Sequence, residues 1–194
     1  MSPRMSPRMS TALASVEVLP VDGRPSEPDG FREFVEARSS ALLRSGWLLT
    51  GDWPSAEDLV QTALAAAWPR WTTLTRQDAP ELYVRKIMVN TFLRWRRRRW
   101  TGEIATGRLP DMQAYGDAFA QIDARQALIA ALDRLPPRQR AVVVLRYFAD
   151  QTEAQTAAAM GCSVGAVKAH ASKALARLRD APGLAELMTG GVTS

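Results

Sequence analysis

Apolar positions recur with a helical period along most of the chain. Phe31, Phe34, Val35, Leu42 and Leu49 lie close to a 3.6-residue repeat, which predicts a helix beginning near Phe31 and stopped by Gly51. In the stretch "PSAEDLVQ" and beyond it, Ala56, Leu59, Val60, Ala63, Leu64, Ala67 and Trp68 follow at steps of three or four. They predict a second helix with one buried stripe, N-capped by Ser55 and ended by Pro69. A third helix is predicted from Asp78, with Pro80 tolerated in its first turn, running into an arginine cluster. From Asp123 the pattern resumes. Leu128, Ile129, Leu132 and Leu135 form a stripe, Pro136 and Pro137 punctuate it, and another apolar helix runs through Val142 to Phe148. No alternating strand pattern and no long-period repeat is present, so the predicted fold class is all-α.

Two stretches break this rhythm. Residues 1–29 are rich in Ser, Pro, Gly and Arg, repeat "MSPR" in tandem, and read as a disordered extension in which Met1, Met5 and Met9 each offer a translation start. Residues 101–122 hold glycines and a proline without periodicity, and set Glu103, Asp111 and Asp117 against Arg108; they read as an acidic flexible linker. The expected organisation is therefore two small helical domains, 30–100 and 123–182, joined by that linker and followed by a polar tail at 183–194 ending in "TGGVTS".

Composition narrows the function. Hydrophobic residues make up 46% of the 194 positions, enough for real cores, and charged residues an ordinary 23%. A net charge of +5 favours a polyanionic partner. The single cysteine, Cys162, excludes an internal disulfide and a cysteine-rich metal site, and the single histidine, His170, excludes most histidine-based clusters. Neither a metal, a cofactor nor a catalytic residue is expected. No apolar run approaches the roughly 20 residues a bilayer span needs, and the N-terminus lacks the apolar core of a secretory signal. The reading is a cytoplasmic protein without a membrane partner.

The arginine cluster is "LRWRRRRW", Leu93 to Trp100. On a helical wheel at about 100° per residue, Val84, Ile87, Met88, Phe92 and Trp95 gather on one side, suited to a core. Tyr83, Lys86, Asn90, Arg94 and Arg97 gather on another. Cations neutralise phosphates, Arg and Asn bond base edges in pairs, and aromatic faces stack on unpaired bases. A solvated helix end favoured by the macrodipole and a membrane-surface helix are the competing readings. Four consecutive like charges repel one another, and the apolar stripe has the size a core needs; both points favour nucleic acid.

The C-terminal stretch "TEAQTAAAMGCSVGAVKAHASKALARLR" carries a sharper signal. Thr152 and Gln155 form a capping box, Ala157 is small where a second helix must cross, Gly161 suits a left-handed helix end, and Ser163 caps the next helix. Val164, Val167, Ala171, Ala174, Leu175 and Leu178 are its buried stripe. This is the helix–turn–helix pattern. The outward face holds Ala166, Ala169 and Lys173, flanked by Lys168, His170, Ser172 and Arg177. An ordinary αα-hairpin is the competing reading; spacing, caps and a basic face together favour DNA binding. Cys162 reads as a partly buried turn residue and His170 as a polar surface contact.

With both basic surfaces placed, the chain resembles bacterial RNA polymerase sigma factors of the extracytoplasmic-function group in the sigma-70 family. The likeness runs over about residues 31–180. "AEDLVQTALAAAW" is similar to the family's region 2.2, "ELYVRKIMVNTFLRWRRRRW" to regions 2.3 and 2.4, and "LDRLPPRQRAVVVLRYFADQTEAQTAAAMGCSVGAVKAHASKALARLR" to region 4. "LPPRQR" and "SVGAVK" are close matches, and "RQRAVVVLRYF" resembles an actinobacterial subfamily. The resemblance implies a non-enzymatic factor that binds core RNA polymerase, recognises −35 and −10 promoter elements and promotes initiation. Asp58, Leu59 and Gln61 would dock on the β′ clamp. Tyr83, Lys86, Asn90, Arg94, Arg96, Arg97, Arg98 and Arg99 would hold the −10 element. Ser163, Ala166, Lys168, Ala169, His170, Lys173 and Arg177 would read the −35 element. The β flap of the polymerase, promoter DNA and an anti-sigma factor are the partners such a factor can have, and the linker would thread toward the RNA exit channel. Ala169-His170-Ala171 stands where the family often has Ser-Arg and an apolar residue, and Arg94 where an acidic residue is common. Asp58 also lies three residues after Ser55 and could serve the helix cap; the resemblance favours docking. A free-standing helix–turn–helix regulator would have no use for "DLVQ", and a nucleic-acid enzyme would need clustered carboxylates or a metal site.

Overall fold

Local chemistry sets the helix boundaries. In the computed structural model, which describes residues 27–77, 80–100 and 119–181 (backbone only for 99–100 and 119–124), α1 spans Phe31–Thr50. Gly51 closes it at φ 91°, in the left-handed region that glycine enters freely, and its N–H donates to the Trp47 carbonyl at 2.7 Å. The helix α2 (Trp53–Ala67) starts three residues before the sequence-based expectation. Its cap is Asp52, whose carboxylate accepts from the Ser55 N–H at 2.8 Å; Ser55 is inside the first turn, with Pro54. As expected, α2 ends just before Pro69. The proline is accommodated in a 3₁₀ turn (Trp68–Arg70), and a short helix α3 (Trp71–Arg76), absent from the expectation, follows. The long α4 is Pro80–Trp100.

The second group comprises α5 (Phe119–Asp133), α6 (Pro137–Val143) continuing as a π turn (Val144–Phe148), α7 (Glu153–Met160) and α8 (Val164–Arg179). Because α5 begins at Phe119, the last four residues assigned to the linker are helical. Of the extension expected over 1–29, residues 1–26 lie outside the described residues, as do 101–118 of the linker expected over 101–122 and the whole tail at 183–194. The capping box forms as expected: Gln155 N–H donates to Thr152 Oγ1 at 3.1 Å and Thr152 N–H to Gln155 Oε1 at 2.8 Å. Gly161 adopts φ 61° at the end of α7, and Ser163 Oγ accepts from Ala166 N–H at 3.2 Å. Val164 is a correction. As the first residue of α8 it precedes the buried stripe by one turn and is 38% exposed, whereas Val167 and Ala174 are fully buried.

Packing follows the predicted stripes. Leu42, Leu48 and Leu49 of α1 meet Ala56, Leu59, Val60 and Ala63 of α2 and Val84, Met88, Val89 and Phe92 of α4. Trp71 seals one end: Phe31 packs edge-on to it with ring centroids 4.9 Å apart, and its indole N–H donates to the Asp29 carbonyl at 3.0 Å. Leu132, Leu135, Val142–Leu145 and Met160 from the second group belong to the same apolar core. The α4 helix lies against α7 and α6, and α1 against the π turn. No described residue is in a strand.

Candidate nucleic-acid and partner interfaces

On α4 the burial pattern divides two faces. Val84, Met88 and Phe92 are buried, with Ile87 and Trp95 packed beside them, while Lys86, Asn90, Arg94, Arg97 and Arg98 are exposed. Tyr83 is half-buried, and its hydroxyl accepts from Arg70 Nη1 at 2.8 Å, so the phenol is held at the start of the stripe. Arg96 is half-buried and lines both a pocket and a cleft described below. The Arg99 side chain lies outside the described residues. Arg85 was missed by the wheel. It is buried, donating through Nε and Nη2 to Glu81 Oε1 at 2.9 and 2.8 Å and through Nη1 to Ser45 Oγ at 2.9 Å. The Glu81–Arg85 spacing of four was the available signal.

On α8, Ala169 and Lys173 are exposed and Ala166 and His170 half-buried. Three of the expected contact residues also have structural work. Ser163 caps the helix, Lys168 Nζ lies 3.5 Å from Glu153 Oε2, and Arg177 Nη1 donates to Gln139 Oε1 at 3.3 Å. The Lys168 and Arg177 contacts tie α8 to α7 and α6.

On α2, Asp58 and Gln61 are exposed next to one another. Leu59 is a correction: it is fully buried, so it anchors the helix in the core and cannot present its side chain to a partner. Asp58 does not cap the helix either, since Asp52 does. It lines a pocket of about 220 Å³ with Thr50, Asp52, Ser55, Phe92, Trp95 and Arg96.

A larger cleft, about 680 Å³, lies between the two helix groups. Asn90, Arg94, Arg96 and Arg97 line it from α4; Pro136, Arg138, Met160 and His170 line it from the other side. Beside it sits Arg140 of α6, fully buried. Its Nε donates to the Leu48 carbonyl of α1 at 2.6 Å and its Nη1 pairs with Asp133. Burial pushes its guanidinium below the ordinary arginine range, the Asp133 carboxylate opposes that shift, and the nearby Arg96 charge adds to it. Two aromatic side chains of the π turn, Tyr147 and Phe148, remain exposed.

Among the described residues no group of acidic, His and Cys side chains could hold a metal ion, and no helix is long and apolar enough to cross a membrane. The sequence model of sigma-70 region 2 matches residues 34–101, and that of sigma-70 region 4 matches 125–178. The chain belongs to the sigma-70 family. Within it, the extracytoplasmic-function group is the place indicated by its relatives. The RNA polymerase sigma-E factor of Streptomyces coelicolor is 43% identical over 150 residues, covering 77% of this chain and 84% of its own. The extracytoplasmic-function sigma factor SigM of Mycobacterium tuberculosis is 32% identical over 148 residues, covering 76% and 74%. Among solved structures, the sigma factor RpoE of Bartonella quintana, crystallised with the anti-sigma factor NepR, shares the fold with a TM-score of 0.63 at 24% identity, over 79% of this chain and 96% of that one. This sigma factor is therefore a promoter-recognising initiation factor that works with core RNA polymerase, which supplies the active site. A free-standing helix–turn–helix regulator does not account for the match of region 2 across α1 to α4.

Proposed function

We propose that region 2 of this sigma factor holds the −10 element on the α4 stripe, that region 4 reads the −35 element with α8, and that α2 docks on the polymerase clamp. The observation that carries this reading is the division of α4. Val84, Met88 and Phe92 fix the helix in the core, and Lys86, Asn90, Arg94 and Arg97 lie exposed on the other side. A helix so anchored presents phosphate-binding cations and a base-edge amide without spending binding energy on ordering itself. On α8, Ala166, Ala169, His170 and Lys173 form the reading surface, and Ser163, Lys168 and Arg177 position it. On α2 the contact is made by Asp58 and Gln61. The exposed Tyr147 and Phe148 of region 4 suit an apolar contact with the β flap.

The remaining assignments follow from that role. The functional units are residues 30–100 and 123–182, joined by 101–122. The site of action is the cytoplasm, where core polymerase is, and an anti-sigma factor is a fitting regulator, as for the Bartonella quintana relative. Reconstitution with core polymerase on a randomised promoter library tests the whole reading. Enrichment of paired motifs at −35 and −10 is the expected result. Polymerase binding with no promoter selection would overturn the DNA assignments, and no polymerase binding would overturn the α2 assignment.

A further inference from the structure

The promoter-facing stripe of α4 begins at Tyr83, and the hydroxyl of that residue is held from outside the helix. Arg70 Nη1 donates to it at 2.8 Å. The two residues are 13 positions apart, so no helical spacing announces the pair. The 3₁₀ turn after α2 brings the guanidinium to the start of α4.

The donor stands on a rigid support. Pro69 locks its own φ inside the turn. On one side of Arg70, Trp68 packs edge-on against Phe31, with ring centroids 4.7 Å apart. On the other, Trp71 is buried, packs on the same Phe31 and donates its indole N–H to the Asp29 carbonyl. Two anchored tryptophans thus bracket Arg70 and fix where its side chain starts. Tyr83 starts from an equally firm place, because its neighbour Val84 is fully buried.

A tyrosine side chain turns about two torsions, and ordering it on binding costs affinity. A hydrogen bond at the far end of the ring restricts that motion before DNA arrives. Arginine suits the task. It is always charged, and the phenol oxygen can accept from it while keeping its own proton to donate. Arg70 is exposed and Tyr83 half-buried, so water competes for both groups and the bond adds only modestly to stability. Its larger effect is on where the ring points.

We infer that Arg70 is a positioning residue for promoter opening: it holds the Tyr83 ring in the orientation that stacks on a base of the −10 element as the duplex parts. The inference rests on the reading of α4 above and adds to it a residue from outside that helix. The ring makes the contact with the base, and Arg70 acts through the ring.

The test is promoter opening by holoenzyme reconstituted with the full chain, on a promoter recovered from the randomised library and carrying 2-aminopurine in its −10 element. Fluorescence is read at saturating holoenzyme, so that differences in duplex affinity drop out. Tyr83→Phe keeps the ring and deletes the acceptor; Arg70→Ala deletes the donor. Each should lower the ratio of open to closed promoter by roughly 2- to 10-fold, the equivalent of freeing one ordered side chain. The double variant should fall no further than either single one. Arg70→Lys, which keeps a donor and the charge, should regain part of the loss. Effects that multiply in the double variant would make Arg70 a plain phosphate cation and overturn the inference. Where circular dichroism shows that Arg70→Ala does not fold, Tyr83→Phe decides, and wild-type opening by it overturns the inference. Tyr83→Ala separates this inference from the reading beneath it. If Tyr83→Ala opens promoters normally, the stacking role of Tyr83 falls and the inference with it. If Tyr83→Ala is defective while Arg70→Ala and Tyr83→Phe are not, the inference alone falls.

Discussion

Arg85 of α4 donates a buried hydrogen bond to Ser45 of α1 at 2.9 Å, and this pair ties α4 to α1. Arg85 is also tied to Glu81, which Arg38 approaches at 3.3 Å, so α1 and α4 are joined by a chain of polar contacts at the edge of the core. Removing the guanidinium would leave Glu81 with Arg38 alone and would strand one lone pair of Ser45, whose hydroxyl keeps its own bond to the Ala41 carbonyl. Arg85→Ala is expected to cost about 1–3 kcal/mol of stability. Arg85→Lys should recover only part of it, because an ammonium cannot serve Glu81 and Ser45 with the same fork geometry. Urea denaturation measures both; a loss below roughly 0.5 kcal/mol for the alanine variant would contradict the role.

The docking face is tested separately from the core. Asp58→Ala with Gln61→Ala should weaken polymerase binding while leaving the circular dichroism spectrum and the denaturation midpoint unchanged, since both side chains are exposed. Leu59→Ala should act in the opposite way, lowering stability by about 2–5 kcal/mol through the cavity it leaves. Equal polymerase affinity of the double variant and the wild type, in a fluorescence titration, would remove α2 from the interface.

For α8, alanine at His170 and at Lys173 should change which −35 sequences are used. Base-edge contacts are typically worth about 1–3 kcal/mol each, so preferences should shift visibly in a promoter library. Uniform weakening across all −35 variants would mean that these side chains touch only phosphate.

The arginine run is tested as a unit. Alanines at Arg96, Arg97, Arg98 and Arg99 should leave polymerase binding intact and cripple promoter melting, read as lost permanganate reactivity of unpaired thymines. Each lost phosphate contact should flatten the log–log salt dependence of DNA binding by about 0.9. Normal melting by this variant would return the stretch to an ordinary solvated helix end.

Much of this was legible in the sequence because short-range physics decides it. The stripes of α1, α2 and α4, the Thr152–Gln155 capping box, the left-handed stop at Gly161 and the Ser163 cap depend on residues a few positions apart. What was missed depended on context. Asp52 outcompeted Ser55 for the α2 cap because Trp53 and Pro54 can open a helix. Beyond the stop at Pro69, a 3₁₀ turn led the chain into the short α3, which the apolar pattern did not announce. Leu59 carried a family role in the sequence reading although its own stripe position buried it. No local pattern assigns Arg140 a role, and only the path of the chain, which brings Leu48 and Asp133 to it, gives it an interior position.

The common core has a consequence for how the free protein melts. Leu48 and Met88 are packed in one cluster with Leu132 and Val142, so heat cannot loosen one helix group without exposing apolar surface on the other. The calorimetric and van't Hoff enthalpies of the isolated chain should therefore agree, as they do for a single cooperative unit.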